Sequence, residues 1–202
     1  MLGMVKKIAM FLAAVLTLLE ISACSAPTPP PAPSLSFTGS PTIQVNVAKI
    51  ETVEAYKSPF SAPNVEHLMP YSPADAMAIW IKDRLRAIGH DKLLQITIVD
   101  ASVKESDLPT TKGIKGLFTV DQNKRYDARL EVEMKIYGEG ALSESSTSAF
   151  VTRSITIPEN ASVNYRKNAY EKMLQELMKM LNDKLENNML NYMGNYVHFS
   201  NK

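Results

Sequence analysis

From Arg125 to Ile136, charged and apolar residues alternate without a break. Tyr126, Ala128, Leu130, Val132, Met134 and Ile136 fall on one side, and Arg125, Asp127, Arg129, Glu131, Glu133 and Lys135 on the other. A period of two belongs to a β-strand, whose side chains point to opposite faces in turn. One apolar and one charged side predict a sheet buried on one face and wet on the other, the habit of antiparallel sheets. Such a sheet needs an apolar layer laid against it, and the chain supplies amphipathic helices.

Two segments have the helical period. In the first, Ser72 is an N-cap, Pro73 suits the first helical position and Asp75 lies in the first turn. Met77, Trp80, Ile81, Leu85 and Ile88 then form the core-facing stripe, with Lys82, Asp83 and Arg86 toward water and Gly89 ending the helix in a left-handed conformation. The second runs from about Val163 to Tyr196, with Ser162 as its cap. Its stripe is Tyr170, Met173, Leu174, Leu177, Leu181, Leu185, Met189, Tyr192 and Tyr196. A helix of that length spans roughly 50 Å, more than the expected width of the domain, so it breaks near Asn187-Asn188 or projects.

Shorter alternations complete the set. Ile43, Val45 and Val47 form a half-buried strand, and Ile50 to Tyr56 continues it after a change of register. Leu94, Ile96 and Ile98 form another, with a phase slip at Val99-Asp100 that predicts a bulge. Residues 104–116 read as a polar loop, Phe118 and Val120 as a short strand, and Ala149, Val151, Ile155 and Ile157 as a strand whose apolar face Arg153 interrupts. Gly138 and Gly140 mark the turn before it. The order β-α-β-β-β-α predicts an α+β fold, a two-layer sandwich of a mainly antiparallel sheet with two helices on one face.

Upstream of Thr42 the composition changes. Residues 25–41 are rich in Pro and Ser and poor in apolar groups, which predicts an extended spacer. Before it, Lys6 and Lys7 precede an apolar run from Ile8 to Leu19, and small residues lead to Cys24, the one cysteine of the chain. This is an export leader. Ile21-Ser22-Ala23-Cys24 resembles the bacterial lipobox, in which the cysteine thiol takes a diacylglycerol and the new N-terminus is acylated. Ile21 in place of the commoner leucine, and Glu20 beside the apolar run, depart from the usual pattern; the other readings are an ordinary signal peptide or an uncleaved anchor. The organisation expected is a signal peptide over 1–23, a lipidated Cys24 with a Pro-rich tether over 24–41, and a single α+β domain over 42–202. Ser25, where an aspartate favours inner-membrane retention, implies the outer membrane facing the periplasm, with the inner membrane as the alternative.

Charge narrows the function. The chain carries 22 Lys and Arg against 21 Asp and Glu. Loss of the leader removes Lys6, Lys7 and Glu20, which cancels the single net positive charge. A neutral body argues against nucleic acid and against a polybasic membrane patch, so lipid must do the anchoring.

Little in the chain points to catalysis, metal or cofactor. His67, His90 and His198 have no neighbour at metal-ligand spacing, and His90 reads as a cation at a helix C-terminus. No serine sits in a nucleophile elbow, and Gly113-Ile114-Lys115-Gly116 is no phosphate loop. Asn160-Ala161-Ser162 matches a glycosylation sequon, but the helix-capping role of Ser162 accounts for it. The segment of most interest is Asn64, Val65, Glu66, His67 and Leu68, in a proline-bearing loop just before a helix. It either closes over the sheet edge or docks a partner. Met180 and Met193, beside the last helix's stripe, either pack in the core or scatter on the surface, or else contact a partner.

With lipobox, tether and domain together, the chain resembles small envelope lipoproteins of Gram-negative bacteria, and within them the auxiliary lipoproteins of ABC-type lipid transport systems. The residues involved are Ile43 to Val47, Trp80 with Leu85, and the long last helix. It is also similar to lipoproteins with an Asn-Val-Glu-His loop and a Trp-x-x-x-Arg-Leu helix, here Asn64 to His67 and Trp80 to Leu85. The resemblance implies a non-catalytic binding or docking module of an envelope complex, in transport or outer-membrane assembly. The alternatives are an enzyme acting on envelope glycan or lipid, and a structural or surface lipoprotein.

Overall fold

The computed structural model describes residues 35–109, 122–158 and 160–200. The leader, Cys24, the tether up to Ser34 and the strand expected at Phe118 and Val120 lie outside the described residues. The α+β reading holds: two helices and two mixed, mostly antiparallel sheets.

The long alternation becomes strand β6, and its partner is the next strand along the chain. In chain order the elements are β1 (Ile43–Val45), β2 (Lys49–Glu54), α1 (Pro73–Arg84), β3 (Leu85–Ala87), β4 (Leu93–Asp100), β5 (Val103–Asp107), β6 (Gln122–Tyr137), β7 (Ser143–Pro158), α2 (Val163–Tyr192) and β8 (Val197–Phe199). β6 and β7 pair as an antiparallel hairpin whose turn places Gly140 at φ 74°. On its other side, β6 pairs antiparallel with β4 near its end and with β5 near its start. The predicted bulge is present, as a register shift between Ile98 and Asp100. β5 corrects the expected loop over residues 104–116: Lys104 to Asp107 pair with Lys124 to Asp127. Polar side chains on both faces concealed that strand.

The parallel part was not predicted. β1 continues into β2, and β3 into β4, so that β1 lies parallel to β3 and β2 parallel to β4, joined through α1. β8 completes a small sheet in the order β3-β1-β8. This pairing ends α1 early. The helix stops at Arg84, and Leu85 to Ala87 are drawn into β3 rather than continuing to Gly89. Ile88 is therefore 47% exposed rather than in the core, and His90 is not at a helix end. Gly89 serves a different purpose from the one expected. A Cβ there would lie 2.5 Å from Asn46 Oδ1 and 2.7 Å from Val47 N, so glycine allows the segments that follow β1 and β3 to touch.

The helix starts are as expected. Ser72 accepts from the Asp75 N–H at 3.1 Å while Asp75 accepts from the Ser72 N–H at 2.9 Å, a complete capping box. Ser162 accepts from the Tyr165 N–H at 3.2 Å. α2 is a continuous 30-residue helix with no break at Asn187-Asn188. Its length of roughly 45 Å is matched by the long β6–β7 hairpin on which it lies, each strand of which has 16 residues. Gly194 then turns the chain into β8, and Met193 is buried in the core while Met180 is exposed.

Both helices pack on the apolar face. Met77, Trp80, Leu174, Leu177 and Leu181 meet Leu94, Ile96, Leu130, Val132 and Met134 in one cluster. Arg84 joins them, 1% exposed. Its Nη1 donates to Asn182 Oδ1 at 2.5 Å, its Nη2 to Glu186 Oε1 at 2.5 Å and its Nε to the Pro41 carbonyl at 2.8 Å. Trp80 Nε1 shares Asn182 Oδ1 at 2.9 Å. One planar fork thus ties α1 to α2 and to the entry of the domain. Packing begins upstream of Thr42: Leu35 and Phe37 are partly buried, and the Phe37 N–H donates to Asp83 at 2.8 Å. The outer face keeps its charges in pairs, among them Arg129 with Asp100 and Glu131, and Lys135 with Glu133.

Candidate functional site

The loop between β2 and α1 is held from beneath by a buried carboxylate. Glu66 opens a 3-10 turn, Glu66–Leu68, and is 2% exposed. Tyr56, just past the end of β2, donates its hydroxyl to Glu66 Oε1 at 2.7 Å. Asn64 Nδ2 donates to the Tyr56 hydroxyl at 2.9 Å and approaches both Glu66 oxygens at 3.4 Å. The Val103 N–H donates to Glu66 Oε2 at 3.2 Å. Burial alone would push this carboxyl up. Donors from Ser58, Tyr56 and the backbone outweigh burial and hold it below the usual carboxylate range. The same contact works in reverse on its partner: burial, then the bond to Glu66, pushes the Tyr56 hydroxyl up.

Backbone bonds complete the attachment. The Val65 N–H donates to the Val103 carbonyl at 2.8 Å and the Glu105 N–H to the Pro63 carbonyl at 2.8 Å, so the loop lies along the outer edge of β5. This is the edge-closing arrangement among the two readings of the segment. Asn64, Val65 and Glu66 are buried in it, whereas His67 and Leu68 face outward, Leu68 at 64% exposure.

The residues that form a site with them carry little signal in the sequence. Phe60 lies between the loop's prolines with φ 52°, in the left-handed region that a bulky side chain seldom occupies, and its ring is 72% exposed. It leans on His67, centroids 5.7 Å apart with planes at 52°. Between this pair and the start of α1 lies a cleft of about 410 Å³, bordered by Glu54, Tyr56, Lys57, Glu66, Met69 and Asp75. The floor holds the hydrogen-bonded carboxylate of Glu66, and Phe60 stands exposed at the lip. Among the described residues, no group of three or more His, Cys, Asp and Glu is placed to hold a metal ion, and no helix is long and apolar enough to cross a membrane.

No protein-family model matches the chain, and no curated protein matches it. Distant structural similarity extends to bacterial lipoproteins. The minor lipoprotein of Acinetobacter baumannii is 8% identical with a TM-score of 0.39, over 78% of this chain and 99% of that one. Protein XCC0632 of Xanthomonas campestris, of the family DUF330, is 12% identical with a TM-score of 0.30, over 72% and 86%. Lipoprotein GNA1162 of Neisseria meningitidis is 11% identical with a TM-score of 0.29, over 69% and 99%.

Proposed function

We propose that the chain is a lipid-anchored periplasmic lipoprotein, held at the outer membrane through Cys24, whose domain docks without catalysis onto an envelope complex of transport or outer-membrane assembly. The contact is the β2–α1 loop. The observation that carries the reading is the pairing of two exposed apolar side chains, Phe60 and Leu68, with a loop backbone fixed by the buried Glu66. Binding energy concentrates in a few anchors of this kind, and rigidity spares the ordering cost. Function also gathers on loops that a firm scaffold positions. The lipobox-like run ending at Cys24 supports the anchor.

Two measurements test the two halves. Cys24→Ser releases or mislocalises the protein and abolishes incorporation of labelled fatty acid; unchanged membrane fractionation with no loss of label contradicts the anchor. Photocrosslinking residues placed at Phe60 and Leu68 capture one membrane-complex component in intact cells, while the same residue at the exposed Lys179 on α2 does not. Equal capture from all three positions, or none, contradicts docking through the loop.

A further inference from the structure

Three rings border the cleft at the start of α1: Tyr56, Phe60 and His67. Aromatic-walled grooves suit a polyproline II segment, which presents flat proline rings, has no internal hydrogen bonds and has little conformational entropy left to lose. Such a segment brings unpaired carbonyls with it. The Lys57 ammonium, which has no partner among the described residues, also lines the cleft and can donate to them.

Charge selects further. Glu54, Glu66 and Asp75 line the cleft against the single ammonium of Lys57. Glu66 is occupied by Tyr56, Asn64 and the Val103 N–H, and Asp75 by the backbone and hydroxyl of Ser72. Glu54 has no partner among the described residues, which leaves its carboxylate available to an incoming cation.

We infer that the cleft binds an extended, proline-rich segment of a partner protein that carries a basic residue beside its prolines. Phe60 and Tyr56 stack on the proline rings, and Glu54 receives the cation. This rests on the docking reading and names the chemistry of the partner.

The test uses the full-length lipidated protein in detergent micelles and two labelled peptides read by fluorescence anisotropy. One is a run of prolines with a single arginine; the other replaces the prolines with glycine and serine and keeps the arginine. The proline peptide binds roughly tenfold more tightly than its match, and Phe60→Ala removes roughly tenfold of that affinity. Glu54→Gln weakens the arginine peptide about threefold and leaves an all-proline peptide unchanged. Phe60 and Glu54 are exposed, so neither variant shifts thermal unfolding. Equal binding of the two peptides, no binding, or indifference to Phe60→Ala overturns the inference. If the peptide fails to bind while crosslinks from Phe60 and Leu68 persist, the inference falls and docking stands. If the peptide binds but those crosslinks are absent, the cleft keeps its preference for proline and a cation, and docking onto an envelope complex falls.

Discussion

At the residue scale, Glu66 decides whether the loop is a fixed surface or a loose one. Its two oxygens accept from donors on opposite sides, the Tyr56 hydroxyl at one and the Val103 N–H at the other. Glu66→Gln keeps the shape but turns an amide NH₂ toward one of those donors. An unpaired buried donor costs about 1–3 kcal/mol, to be measured as a lower urea midpoint. The sign with pH follows from the depressed carboxyl. A folded-state pKa below the unfolded one adds stability that is complete above the unfolded value of about 4.3 and is lost as pH falls through the folded value. Wild-type stability therefore declines more steeply in acid than that of the Gln variant. Parallel stability curves for the two proteins below about pH 4.3 would remove Glu66 from this role. Arg84 presents the same logic with opposite charge. Arg84→Lys replaces a fork serving Asn182, Glu186 and the Pro41 carbonyl with one ammonium, and costs about 1–3 kcal/mol in the same titration.

At the element scale, the free edge of the long hairpin shows how α2 does more than cover a face. Among the described residues β7 pairs with β6 alone. Two of its carbonyls are taken by α2 side chains: Lys184 Nζ donates to the Phe150 carbonyl at 2.9 Å and Asn188 Nδ2 to the Ser148 carbonyl at 2.8 Å. Lys184 also lies over the exposed Phe150 ring at 5.0 Å. A long open edge invites pairing with another chain, and charged side chains laid on it prevent that. The Lys184→Ala, Asn188→Ala double variant folds with nearly wild-type stability but aggregates faster on mild heating. Light scattering no different from wild type would refute the edge-guarding role. The same element shows which features the sequence made readable. The alternation of β6, the bulge after Ile98 and both helix caps are local patterns, each set by side chains within a few residues. The end of α1 is not local. Leu85 has helical spacing from Met77 and Trp80, and only pairing with β1, about forty residues earlier in the chain, makes it a strand. Arg84 was absent from the predicted core because an arginine counts as a surface residue until its acceptors, three of them on distant segments, are known. The loop residues Asn64 to Leu68 stand out in sequence as a mixed apolar and polar run. Tyr56 and Phe60 do not, because the cleft they share with His67 exists only after the loop has folded back on β5.

At the scale of the whole molecule, charge is close to balanced in sum, 22 Lys and Arg against 21 Asp and Glu, and much of it is paired in place. The outer sheet face pairs Arg125 with Asp127, Arg129 with Asp100 and Glu131, and Lys135 with Glu133, so among the described residues of β6 no stripe of one sign is left to hold anionic headgroups. Basic residues near a membrane contribute about 1 kcal/mol each only where they act together and unpaired. On the anchored reading, retention then depends on acyl chains, whose hold is indifferent to ionic strength. Membranes from cells carrying the wild type accordingly keep the protein through a molar-salt wash and release it to detergent. The purified Cys24→Ser variant freed of residues 1–23 cosediments no better with anionic vesicles than with neutral ones at low salt. Salt-sensitive binding of that variant to anionic vesicles would mean that the folded surface itself recognises the bilayer. The paired charges of β6 would then have to open at the membrane, and the lipid foot would be an aid to adhesion rather than its cause.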